Sequence, residues 1–130
     1  MEKVTIKDII DATIDTLENA VKRVEKDWKI KLDRKILEYA RRDMEAVMKK
    51  VGNIEVDRKE TYVIGLLTLQ TIKYSLLINL NRAEKTGEKF EEVVFKIMIG
   101  MIDRMIVDTS VFLRQIMEGE KSKQKETTYM

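Results

Sequence analysis

The chain has 130 residues, and its 25 lysines and arginines nearly cancel its 23 aspartates and glutamates, so the 37% of charged positions are interleaved around a net charge of only +2. Cysteine is absent, which excludes disulfides, thiolate nucleophiles and thiolate metal sites and suits a reducing compartment. Histidine is absent as well, which removes the commonest general base at neutral pH and the commonest nitrogen ligand for zinc.

With no proline and five scattered glycines, the chain has few means of ending a helix. A small number of long helices joined by short loops is expected, and no run alternates long enough to predict a sheet. The length predicts one domain, residues 1–118, able to bury a core without staples. Lysine and glutamate in paired patterns are a feature of hyperthermophile proteins, so a hot source is an expectation. The opening MEKVTIKD carries charges every few residues rather than the apolar core of a secretion signal, and a cytoplasmic location is expected.

The first helix starts after Thr5, with Asp8 three residues on as the acid of a capping box. Ile6, Ile9, Ile10, Ile14, Leu17, Val21, Val24 and Trp28 fall on one stripe, and Trp28 is expected to close one end of the core. Asp8, Asp11, Asp15 and Glu18 line the opposite face, followed by Lys22, Arg23 and Lys26, an order that complements the helix dipole. After a short link, Asp33 is the expected N-cap of a second helix running to about Val51, with Leu37, Ala40, Met44, Val47, Met48 and Val51 inward. Gly52-Asn53 suits a left-handed stop. Asp57 and Glu60 form a second capping box, starting a third helix that stops at Gly87. A fourth runs from about Glu88 to Met117 or Glu118, and residues 119–130, GEKSKQKETTYM, have almost nothing to bury and are expected to be a disordered polar tail.

The fold class predicted is all-α, an up-down-up-down four-helix bundle with two long C-terminal helices, each on the order of 40 Å long. The third helix sets its character. Between Tyr62 and Leu80 its only charge is Lys73, and large apolar side chains cover about two-thirds of the circumference, against the roughly 100° that one buried face requires. The fourth helix repeats the excess, with Val93, Ile97, Ile99, Met101, Ile102 and Met117 spread beyond one face. An apolar strip of that length marks an association surface. Homodimerisation is therefore expected through Ile64, Leu67, Ile78, Val93, Ile97, Ile99 and Met101; the alternative is a monomer whose third helix is central and covered on all sides. A membrane hairpin is disfavoured by Lys73 in the third helix and by Asp103, Arg104 and Asp108 in the fourth.

Candidate chemistry is thin. The acid row on the first helix lies opposite the apolar stripe, and Glu88, Glu91, Glu92, Asp103 and Asp108 share one helix, unlike the facing acid pairs of helical nucleotide pyrophosphatases. No metal site or cofactor is expected. Lys73 and Gln70 sit within the apolar arc, and with Arg104 and Asp108 they make a candidate buried polar set in which Asp108 is the partner expected for Lys73. Between positions 22 and 42, nine bases stand against four acids. Lys29, Lys31, Arg34, Lys35, Arg41 and Arg42 are candidate phosphate contacts, with Tyr39 available for stacking. Against this, Arg34, Glu38 and Arg42, and likewise Arg41, Glu45 and Lys49, can form self-satisfying helical ladders. Gly-rich phosphate loops, HExxH, helix-turn-helix and nucleophile-elbow patterns are missing. The expected function is therefore non-catalytic, a self-associating structural or adaptor subunit; the alternative is a small nucleic-acid-associated subunit binding through residues 22–42.

Overall fold

In the computed structural model, residues 3–32 and 35–128 are described, with backbone alone for residues 36 and 122–128. In chain order the elements are β1 (Val4–Thr5), α1 (Ile6–Trp28), α2 (Lys35–Val51), β2 (Glu55–Val56), α3 (Arg58–Thr86) and α4 (Lys89–Thr128). The fold is all-α with four helices.

Local chemistry sets most of the boundaries. Thr5 and Asp8 form a reciprocal capping box: the Thr5 N–H donates to Asp8 Oδ2 at 3.1 Å and the Asp8 N–H to Thr5 Oγ1 at 3.3 Å. Asp57 and Glu60 repeat the device at the start of α3, at 3.0 and 2.7 Å. Each box satisfies two N–H groups that a helix start leaves without intrahelical partners. Gly87 stops α3 at φ 72°, where its N–H bonds to the Ala83 carbonyl. Lys29 closes α1 in the same left-handed conformation.

Direction follows from the ends. Val4 pairs with Val56 and Thr5 with Glu55 in an antiparallel bridge. Beside it, the Ile6 N–H donates to the Ile54 carbonyl and the Lys7 N–H to the Gly52 carbonyl, each at 3.1 Å. These bonds stitch the start of α1 to the end of α2 and the start of α3, so α1 and α3 run parallel with α2 antiparallel to both. Helix α4 returns along α3, with Lys73 beside Asp103 and the Tyr62 and Phe112 rings stacked at 6.2 Å.

Helix α3 is the hub. It packs against α1, α2 and above all α4. The core it shares includes Ile10, Ile14, Leu17 and Val21 of α1, Leu37 of α2, Ile72 and Leu76 of α3, and Met98 and Ile102 of α4, all fully buried. Each such side chain contributes roughly 1.5–3 kcal/mol by leaving water.

Several expectations are corrected. A strand bridge is present despite the sheetless reading, because two residues are too short to show any alternation. Trp28 is 74% exposed and closes nothing, since α1 turns left-handed at the next residue. Val47 also faces solvent. Gly52 is not left-handed; it is required because a side chain there would strike the Met48 carbonyl, which accepts the Gly52 N–H at 2.8 Å. Helix α4 continues past Glu118 to Thr128, through a stretch with no proline and several good helix formers. Asp33, the expected cap of α2, lies outside the described residues.

Candidate functional site

Helix α3 carries two apolar stripes on opposite sides. The first, Gly65, Leu69, Ile72, Leu76 and Ala83, is buried against the rest of the chain. The second runs through Val63, Leu67, Gln70, Tyr74, Leu77 and Asn81, and all six residues are exposed. At 3.6 residues per turn the two stripes lie about 150° apart on the helix. The contrast in burial is large: Ile72 is 0% accessible, whereas Leu67 is 59%, Tyr74 68% and the adjoining Ile78 54%. Positions 63, 67, 70, 74, 77 and 81 are separated alternately by four and three residues, which is the spacing of a coiled-coil seam.

The expected interface residues divide along this line. Leu67 and Ile78 of α3 and Val93 and Ile97 of α4 are exposed. Ile64 and Ile99 instead pack against the core, and Met101 is half-buried. The interface set expected from the sequence leaves out Tyr74, Phe90, Val107 and Val111, all exposed. The four-three spacing would have found Tyr74. On α4 the same spacing runs through Val93, Ile97, Gly100, Arg104, Val107 and Val111, all exposed.

The expected buried polar set is largely overturned. Gln70 is exposed on the outward stripe. Arg104 and Asp108 pair with each other at 3.5 Å on an exposed face of α4. Only Lys73 is half-buried, and its Nζ donates to Asp103 Oδ1 at 2.7 Å rather than reaching Asp108. The rotation of α4 places Asp103, not Asp108, at the α3 boundary. Lys73 thus joins the two long helices.

The basic segment is dispersed. Arg41 is half-buried and bridges to α1, donating from Nη2 to Asp15 Oδ1 at 3.1 Å and to Glu18 Oε1 at 3.0 Å. These bonds, with Glu18 the stronger influence, raise its already high pKa. The expected ladder to Glu45 is therefore replaced by a clamp between helices, because α2 turns Arg41 toward the acid row of α1. Lys29, Lys31, Lys35 and Arg42 are exposed, and the Arg42 guanidinium sits 5.9 Å from the centre of the Tyr39 ring. Arg34 lies outside the described residues.

A groove of about 480 Å³ lies among α1, α3 and α4, lined by Ala12, Thr13, Thr16, Gly65, Leu69 and Thr109, with Thr61 and Asp8 at its margin. Its threonine hydroxyls donate to carbonyls of their own helices: Thr13 to Ile9, Thr16 to Ala12 and Thr61 to Asp57, each at 2.8 Å, and Thr109 to Met105 at 2.7 Å. The walls consequently present methyl groups. Asp8 is engaged in its cap, whose Thr5 backbone and hydroxyl bonds hold the carboxyl below the usual aspartate range. Among the described residues no cluster of acids is placed to hold a metal ion.

By length and composition α3 is the one helix among the described residues that is apolar enough to cross a membrane. What the geometry defines is a four-helix, all-α protein whose hub helix is apolar on two opposite sides. No protein-family model, curated protein or solved structure matches the chain.

Proposed function

We propose that this protein is a non-catalytic, self-associating structural or adaptor subunit of the cytoplasm, dimerising through the outward faces of its two long helices. One observation carries the reading: the outward stripe of α3, with Leu67, Tyr74 and Ile78 more than half exposed, has the seam spacing and the apolar content of a helix packed on both sides. Leaving three such side chains in water forgoes roughly 1.5–3 kcal/mol each. A second molecule covering them recovers that term.

Sedimentation across a concentration series tests this. The expected species has twice the 15.3 kDa chain mass, and Leu67→Glu returns it to a monomer of unchanged helicity. A monomer at every concentration overturns the reading. A nucleic-acid role for residues 22–42 has less support, since Arg41 is already committed to Asp15 and Glu18. Salt-dependent binding of mixed-sequence RNA or DNA, weakened by charge reversal at Lys31 and Arg42, would favour that role instead.

A further inference from the structure

We infer that the occupant of the outward α3 stripe is the same stripe of a second copy, running antiparallel, with the two-fold axis between the copies at the height of position 72 along the helix. This rests on the self-association reading above and adds to it a direction and a register.

The register comes from the order of side chains along the seam. An antiparallel seam places each position opposite the one whose number brings the sum to 144. Val63 then meets Asn81 of the second copy, Leu67 meets Leu77, and Gln70 meets Tyr74. The large apolar pair falls between the centre and each end, and the central amide lies beside a phenol that can bond to it. A parallel pairing stacks Gln70 on Gln70 and Asn81 on Asn81, two amide layers in a six-layer seam.

Charge points the same way. Glu60 and Lys85 lie just beyond the two ends of the stripe and are both exposed. On a helix their side chains lie on the same flank of the seam as Ile78. In an antiparallel pair that flank faces its own counterpart, so Glu60 of each copy comes beside Lys85 of the other, once at each end. In a parallel pair Glu60 meets Glu60. The antiparallel arrangement also sets the two helix dipoles head to tail.

The surroundings leave room for the partner. Helices α1 and α2 cover the opposite side of α3, and Lys73 marks the flank occupied by α4 through its bond to Asp103. Nothing of the chain's own described residues buries the six seam positions.

Because the chain has no cysteine, single-cysteine variants report the register without background. Leu67→Cys and Leu77→Cys each alter one exposed side chain of the full-length protein. Mixed under mild oxidation, the two are expected to give a disulfide between the different variants, because positions 67 and 77 face each other at bonding range. Each variant alone gives none, since like positions stand about 15 Å apart along the axis. Lys85→Glu is expected to weaken the dimer about tenfold by placing like charges at both ends. Cross-linking of Leu67→Cys with itself overturns the antiparallel register, and so does the absence of the mixed disulfide in a solution that sedimentation shows to be dimeric. Sedimentation as a monomer at all concentrations instead removes the underlying reading.

Discussion

Helices α1 and α3 show two ways of spending the same kind of sequence. On α1 the apolar residues recur on one side, and the other side carries acids, two of which are clasped by Arg41 of α2. On α3 one side is as deeply buried as anything in α1, yet the opposite side repeats the apolar pattern in full view of solvent. A one-sided helix is completed by its own chain. A two-sided hub helix, with α1, α2 and α4 gathered on and beside one face, leaves its second apolar face in solvent in the single chain.

Substitutions that separate the two faces of α3 sharpen the comparison most. Ile72→Ala, on the inner face, is expected to lower folding stability by about 2–5 kcal/mol, read from chemical denaturation of the protein. Tyr74→Glu, only two residues away, is expected to leave monomer stability within about 0.5 kcal/mol. Its effect appears instead in the dimer dissociation constant, which rises at least about a hundredfold from the loss of two buried rings. Equal losses of folding stability at both positions would break the distinction.

The α1 side supplies smaller tests. Thr5→Ala removes the hydroxyl that accepts the Asp8 N–H and is expected to cost about 1 kcal/mol in thermal or chemical unfolding. Arg41→Ala releases Asp15 and Glu18, and since these groups are partly solvated the expected loss is about 0.5–1 kcal/mol, shrinking as salt is added. The smallest effect is pH-dependent. The Asp8 carboxyl is held below its ordinary value near 3.8 by the Thr5 backbone and hydroxyl bonds, so its charged form is favoured in the folded chain. That contribution is present above the ordinary value and is lost as pH falls through the lower folded value. The stability gap between the parent and Asp8→Asn is therefore expected to close in acid below about pH 3.8.

Much of the fold is readable from local chemistry. The Thr5–Asp8 and Asp57–Glu60 boxes and Gly87 mark boundaries with their own side chains or backbone freedom, and the α1 stripe names its buried residues almost without error. What escapes is rotation and docking. Leu69, Ile72 and Leu76 are no more apolar in sequence than Leu67, Leu77 and Ile78, and only the placement of α1 and α2 decides which set turns inward. The same rotation misdirected the Lys73 pairing to Asp108, drew Ile64 and Ile99 into the interface when they belong to the core, and left Gln70 and Arg104 assigned to an interior they do not enter. The width of the apolar arc was visible; the side facing out was not.

Tyrosine footprinting bears on the central claim most directly, because the chain carries its own control. In a single copy Tyr74 on α3 is 68% exposed and Tyr39 on α2 53%, so an isolated molecule labels both, Tyr74 at least as fast. The account predicts that at concentrations where the dimer forms Tyr74 is protected while Tyr39 still reacts, and that dilution restores Tyr74 labelling. Equal, concentration-independent labelling of the two would contradict it.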